Sequence, residues 1–284
     1  THFQGPMIED AEPDVAAMTK MVLTRPALLR AMAPLQSLAG LLKNSFSDPR
    51  LRQLFGRYAT YVGGSPYKSP AILSLIWQAE EAGVWVVEGG MHALAHAIAD
   101  LIAAKGGRFR YDTQVDRILT DSDGVTGVAL DDGKVLAARS VIFNGDPRAL
   151  ALGSLGDAAR STVPNLADRP RSLSAQVWAF AATPQGPELA HHNVFFCADP
   201  EQDFRALDNG RCPEDTSLYL CAEDRGQGRI PPAPERFEII LNAPPTTTSK
   251  PNPQEFETCH SRTFRTLDRF GLSFSPEPGE PALT

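Results

Sequence analysis

The sequence predicts a mixed α/β fold with α+β character, and three observations predict it. A glycine turn at Gly89-Gly90 leads from a short apolar run into an amphipathic helix, two alternating runs flank Asp131-Asp132-Gly133, and four further strand-like runs precede a terminal helix. Strand, tight turn and helix in succession mark an α/β layer, while paired alternating runs across a glycine turn mark an antiparallel ribbon. The 284 residues suffice for one large domain or two small ones with a substantial core. With 42% hydrophobic and 21% charged residues, the chain is neither disordered nor collagen-like.

From Asp14 to Ser45 the apolar residues Val15, Met18, Val22, Leu28, Leu29, Met32, Leu35, Leu38 and Leu42 recur at mostly three- and four-residue steps, which predicts helix divided at Pro26 and Pro34. No Asp or Glu occurs between Val15 and Ser47, whereas Lys20, Arg25, Arg30 and Lys43 are cationic, and four of the five Met fall in the first 32 residues. The segment reads either as a packed helical subdomain whose cations reach water along their stems, or as a surface that docks on lipid.

Asp48-Pro49 is a capping residue followed by proline at a first helical position, opening a helix to about Tyr58. A glycine-rich loop, Val62 to Pro66, separates it from a helix over 70–82 with Ile72, Leu75, Ile76 and Ala79 on one face and Gly83 as terminator. Val84 to Val87 is expected as a short buried strand, and Met91 to Ala104 as a helix with Met91, Leu94, Ala95, Ile98 and Ile102 on its core stripe. Strands are expected over 108–111 and 114–120, then a hairpin of 125–130 with 134–143. Leu173 to Ala181, Asn193 to Cys197, Ser217 to Cys221 and Phe237 to Leu241 predict a second sheet, and 252–270 a terminal helix carrying Phe256, Cys259, Phe264 and Leu267 roughly on one side.

The 27 Lys+Arg against 34 Asp+Glu give a net charge of −7, which argues against a nucleic-acid partner. Cys197, Cys212, Cys221 and Cys259 form no C-x-x-C pair, so reduced thiols in a cytoplasmic setting are expected. No apolar run approaches the roughly 20 residues that span a bilayer. His92 and His96 have the helical spacing of two metal ligands, but the stretch His-Ala-Leu-Ala-His lacks the zincin glutamate. His191 and His192 are adjacent, and strand alternation would point them to opposite faces, which leaves hydrogen bonding at a strand end as their expected role. No metal site is expected. Gly226-x-Gly228 is followed by Pro231 and no helix, so it is not read as a dinucleotide motif. No nucleophile elbow, P-loop or kinase set occurs, and no catalytic acid or base is assigned.

Several short segments combine in a specific order. They are Tyr61-Val62-Gly63-Gly64-Ser65-Pro66, Ser69-Pro70-Ala71, Gly83-Val84-Trp85, Glu88-Gly89-Gly90-Met91, Val115-Asp116-Arg117-Ile118, Val141-Ile142-Phe143-Asn144-Gly145-Asp146-Pro147, Ser172-Leu173-Ser174, His191-His192-Asn193-Val194-Phe195 and Ala233-Pro234-Glu235. Together they resemble the central part of bacterial carotenoid desaturases of the phytoene desaturase type, over about residues 48–245. Within that family the chain is most similar to the hydroxyneurosporene and methoxyneurosporene desaturase branch of purple phototrophic bacteria. The Ala233-Pro234-Glu235 run departs from the commoner form, which has glycine after the proline.

The resemblance implies FAD-dependent dehydrogenation of an acyclic carotenoid. The family carries a G-x-G-x-x-G segment near its N-terminus and a flavin-contacting segment near its C-terminus, and these 284 residues hold neither. The expectation is therefore a central fragment opening on Thr1-His2-Phe3 without a leader: residues 1–82 as the helical part of a substrate domain, 83–150 as a partial FAD-binding domain with an antiparallel ribbon, and 151–284 as the substrate-domain sheet and terminal helix. FAD is expected to be weakly held or lost by this piece. By resemblance Val115, Gly89, Gly90, Asn144, Gly145 and Asp146 are the cofactor-side residues. Tyr61, Trp77, Trp85, Phe180 and Phe195 are expected to line the polyene, although aromatics at these spacings also suit a plain core. A carotenoid partner implies visits to the inner or photosynthetic membrane from the cytoplasmic side, with 15–47 as the contact. A related flavin isomerase or oxygenase, or a noncatalytic lipid-binding fragment, shares the same motifs.

Overall fold

The computed structural model describes residues 36–163, 169–226, 228, 230–246 and 253–279, with isolated positions 16, 19, 20, 23, 24 and 166. In chain order the elements are α1 (Leu38–Ser45), α2 (Pro49–Gly56), α3 (Leu75–Glu81), α4 (Gly90–Ala104), β1 (Val115–Asp121), β2 (Gly124–Leu130), β3 (Val135–Ala137), α5 (Pro147–Ala151), α6 (Asp157–Arg160), β4 (Ser174–Gln185), β5 (His192–Phe195), α7 (Pro200–Asp208), β6 (Leu218–Ala222), β7 (Glu235–Ala243), α8 (Pro253–Arg269) and β8 (Ser273–Ser275). Two 3-10 helices, Arg57–Val62 and Ala71–Ser74, join α2 to α3. The chain forms two units, one of residues 1–84 with 171–284 and the other of 85–170.

In the first unit the five strands run in the order β5-β6-β7-β4-β8, every pair antiparallel. Alternation along β7 turns Phe237, Ile239 and Leu241 to one face, where Trp178, Leu218 and Leu220 join them and α8 lays Cys259, Phe264 and Leu267 on top. Removing this apolar area from water, at about 25 cal/mol per Å², is what holds helix to sheet. The expected strands and terminal helix are thus present, with β4 and β7 longer than their apolar runs. Phe256 lies outside the residues whose side chains are described.

The helical part of this unit packs around Leu38, Leu42 and Ala59. Ser37 caps α1 by accepting from Gly40 N at 3.2 Å, and Asp48 caps α2 by accepting from Arg50 N at 2.9 Å, so the capping signal at Asp48-Pro49 holds. The helix expected through Tyr58 gives way to 3-10 geometry after Gly56. The expected helix over 70–82 likewise begins as a 3-10 turn, and Ala79 faces solvent. Of the acid-free segment, residues 15–35 fall almost wholly outside the described residues, while Leu38 and Leu42 point into the core and Lys43 is exposed. Among the described residues no helix is long and apolar enough to cross a membrane.

In the second unit β1, β2 and β3 form a three-stranded antiparallel meander, closed at Asp131-Asp132-Gly133 by the expected turn. Asp146 caps α5, and α6 packs on β1, where Ile118 N donates to Leu155 O at 3.0 Å. The unit runs from Trp85 to Pro170.

Three expectations are corrected here. Val84 to Val87 is irregular, with Val84 to Val86 exposed and Trp85 at 81%, because among the described residues no strand lies beside it to accept its hydrogen bonds. The expected core stripe of α4 faces water, with Met91 at 70% and Ile98 at 50%, and α4 makes no substantial contact with another described element. Residues 108–111 form no strand, and the run expected over 134–143 is a strand only at 135–137. α5, α6, α7 and β8 were not foreseen. Asp199 caps α7 through the amides of Glu201 and Gln202, a signal the sequence did contain.

Candidate functional site

The expected cofactor-side residues all fall in the second unit, except that they do not form one cluster. Gly89 and Gly90 have φ of 82° and 81°, in the left-handed region that disfavours a side chain, and they open α4 with no side-chain cap. Open space lies where a Gly90 side chain would stand. Val115 begins β1 opposite Leu130, half-buried, next to a register shift. Asn144 and Gly145 are exposed, and Asp146 accepts from Arg148 N at 2.9 Å. The Asn144–Asp146 turn and Val115 are linked through α5, α6 and β1, whereas the Gly89–Gly90 turn stands on a helix that makes no substantial contact with these.

These features fit an anionic cofactor group in part. An uncapped helix start presents free N–H donors, and the glycine pair places no side chain in front of them. The donor set is suited to a phosphate-bearing group such as that of FAD, and it supplies one side of a cradle.

Of the five aromatics expected on the substrate side, Tyr61 and Trp77 are joined through Phe55 and Tyr58. Phe55 stacks on Phe46 at 5.1 Å between ring centroids and meets the edge of Trp77 at 6.0 Å; Tyr58 lies 6.2 Å from Phe55 and 5.3 Å from Tyr61. Tyr61 and Trp77 therefore belong to one aromatic wall. Phe180 packs on Phe237 and Phe274, and Phe195 on Phe270, inside the sheet core. Trp85 faces solvent.

A polar cluster stands behind that wall. Tyr58 Oη donates to Glu80 Oε2 at 2.6 Å and Tyr61 Oη to Glu80 Oε1 at 3.1 Å. Burial first, and the Glu80 carboxylate second, push the Tyr58 phenol far above its usual range. Arg57 is pushed down by burial, with Asp203 opposing, and Tyr61, Cys197 and Tyr219 lie within its electrostatic reach. Asp203 is buried and pushed up by that burial; its Oδ2 accepts from Ser217 N at 3.4 Å. The Cys197 thiol, pushed up to about 11 by burial, is not a nucleophile at neutral pH. Arg57, Tyr58, Glu80, Asp203 and Tyr219 were not singled out from sequence. Tyr58 and Tyr61 were legible, since residues three apart in a 3-10 turn share a side, but Glu80, Asp203 and Tyr219 arrive from distant segments.

Cavities occur among the described residues of this unit. One of about 500 Å³ lies among α1, α2 and α7, lined by Leu42, Gly56, Arg57, Pro66, Tyr67 and Phe204; another, about 870 Å³, is charged and lies beside α7 with Asp199, Arg205, Arg211, Asp215 and Arg262. None of the five expected substrate aromatics lines either one.

His191 and His192 correct the alternation argument. Their ring centroids lie 4.4 Å apart, because His191 sits in a bend before β5 and strand geometry starts only at His192. The expected hydrogen bonds are present: His191 Nδ1 with Ala222 O at 2.9 Å and His192 Nδ1 with Tyr219 Oη at 2.7 Å.

Residues 30–233 match the family described as flavin containing amine oxidoreductase. The chain is 52% identical over 282 residues to hydroxyneurosporene desaturase of Cereibacter sphaeroides, covering 99% of this chain and 57% of that protein. It is 49% identical to hydroxyneurosporene desaturase of Rhodobacter capsulatus, with the same coverage. To 4,4'-diaponeurosporene oxygenase of Staphylococcus aureus it is 31% identical over 80% of this chain and 46% of that protein. The chain thus spans a little over half the length of the curated relatives it matches most fully. A crystal structure of an oxidoreductase from Methanosarcina mazei superposes with a TM-score of 0.57 at 16% identity, covering 95% of this chain and 60% of that one, which is a likeness of fold.

Proposed function

Since the chain belongs to the flavin containing amine oxidoreductase family, we propose that the whole protein carries out FAD-dependent desaturation of an acyclic carotenoid, with hydroxyneurosporene as substrate. The observation that carries this reading is the 52% identity to a hydroxyneurosporene desaturase across 99% of the chain. Two hydrogens leave adjacent saturated carbons and a double bond forms between them. FAD, when bound, supplies the two-electron acceptor that no amino-acid side chain provides. On this reading the chain's own residues bind and orient. The first-turn amides of α4 beside the Gly89–Gly90 turn, the start of β1 at Val115 and the Asn144–Gly145–Asp146 turn hold the cofactor. Tyr61 and Trp77 present ring faces to the polyene, and Glu80 ties back the Tyr61 hydroxyl. Phe180 and Phe195 brace the sheet from its core. These 284 residues alone retain FAD weakly. The acid-free segment 15–47 contacts the membrane surface, where the substrate resides, from the cytoplasmic side.

The test is to supply the purified whole protein with FAD and hydroxyneurosporene in lipid vesicles, with and without air. The expected product is two hydrogens lighter and absorbs at longer wavelength under both conditions. An oxygenated product formed only in air would move the reading to the oxygenase class, and an unchanged carotenoid would overturn it.

A further inference from the structure

We propose that His191, His192 and Cys221 form a zinc site at the β5 edge of the five-stranded sheet. One ligand atom from each lies within 4.8 Å of the other two. His191 Nε2 is 3.8 Å from Cys221 Sγ. Zinc bonds of about 2.0–2.1 Å to nitrogen and 2.3 Å to sulfur, at the tetrahedral angle, separate N from S by about 3.6 Å and N from N by about 3.3 Å. The ligand atoms therefore need little more than an ångström of side-chain adjustment.

The convergence is built by the backbone. His192 pairs with Cys221 in the β5–β6 register, so their side chains share a face. The Asn193 side chain accepts from Ala190 N at 2.9 Å and donates to Ala190 O at 2.8 Å, closing the bend that swings His191 onto that same face. Ala222 N donates to His191 O at 2.8 Å, and His191 Nδ1 donates in return to Ala222 O, which leaves Nε2 as a lone pair aimed at the thiol. A hydrogen bond from the remote ring nitrogen to a carbonyl is the support that metal-bound histidines use. The His192 ring is fixed by the Tyr219 hydroxyl. Gly226 lies against His191, where an added Cβ would come within 3.0 Å of the histidine Cβ, so the turn after β6 closes the site from behind.

Two imidazoles and the thiolate that Cys221 becomes as it binds the ion and releases its proton to solvent form a donor set of borderline softness, suited to zinc and unsuited to calcium or magnesium. A water molecule completes four-coordination, and Glu223 lies beside the thiol. His92 and His96 provide the contrast: their rings are also 4.4 Å apart, but both are exposed and no third ligand joins them among the described residues. The bound ion pins the edge strand and the 190–193 bend to β6, and takes no part in the redox step.

The experiment strips the protein with a chelator, reloads it with zinc, measures zinc per chain by atomic absorption and reads the ligand shell by X-ray absorption at the zinc edge. The expected result is one zinc per chain with one sulfur and at least two nitrogens. Cys221→Ser loses the sulfur shell, His192→Ala weakens zinc binding about ten-fold or more, and the His92→Ala/His96→Ala double variant changes neither. Absence of stoichiometric zinc in the unaltered protein, a shell without sulfur, or a sulfur shell that survives Cys221→Ser would each overturn the proposal. The first two readouts need no variant, so a misfolded mutant does not shelter it.

Discussion

The hydroxyl of Tyr58 ends on Glu80 Oε2 at 2.6 Å, joining the 3-10 helix Arg57–Val62 to α3. A half-buried hydrogen bond to a carboxylate is worth about 1.5–3 kcal/mol. Tyr58→Phe is expected to destabilise the first unit by about that amount in urea denaturation, and Tyr61→Phe, whose longer bond is exposed, by less than about 1 kcal/mol. Equal midpoints for Tyr58→Phe and the unaltered protein would contradict the coupling.

Gly63 has φ of 64°, its carbonyl accepts from Leu173 N at 2.8 Å, and an added Cβ would stand 2.6 Å from Ser172 Cβ. Gly63→Ala combines left-handed strain of about 1–2 kcal/mol with that clash. Adding Ser172→Gly removes the clash and not the strain, so the double variant should recover part of the stability lost. A double variant no better than Gly63→Ala counts against this packing.

Leu267 on α8 is fully buried between helix and sheet. Leu267→Ala is expected to cost about 2–5 kcal/mol, whereas Val135→Ala, at a position 60% exposed, should stay within about 0.5 kcal/mol. Chemical denaturation monitored by circular dichroism separates the two.

Arg236 holds Asp224 through Nε and Nη2, and this lowers the Asp224 carboxyl below its usual range. A folded-state pKa below the unfolded one contributes stability that is complete above the unfolded value of about 3.9 and fades as pH falls through the folded one. Because Arg236 is largely exposed, the contribution is about 0.5–1 kcal/mol. The stability gap between the unaltered protein and Asp224→Asn should be present at pH 7 and shrink as pH falls below the unfolded value of about 3.9 and through the lowered folded one. A gap that persists at the acid end would refute the assignment.

Local pattern was enough for β4 to β7, α8 and the β1–β2 ribbon, because alternation and helical spacing are written into neighbouring residues. The same reasoning misjudged Val84–Val87 and the α4 stripe. Apolar periodicity declares that a face is made for burial, but burial also needs a partner surface, and among the described residues none covers Met91 or Ile98. In the site, Tyr61 and Trp77 were legible as aromatics, while Phe180 and Phe195 share that chemistry and sit in the core.

The sequence by itself determined the β1–β2 ribbon, β4 to β7 and the terminal helix, the helix start at Asp48, and which family order the segments follow, since each depends on residues close along the chain or on their succession. Only the tertiary structure decided that Glu80 meets Tyr58 and Tyr61, that Arg57 and Asp203 share a buried region, and that His191 turns toward Cys221. Those meetings span 19 residues and more along the chain, apart from Tyr58 to Tyr61, and are set by how a bend, a register and a helix packing place distant side chains together.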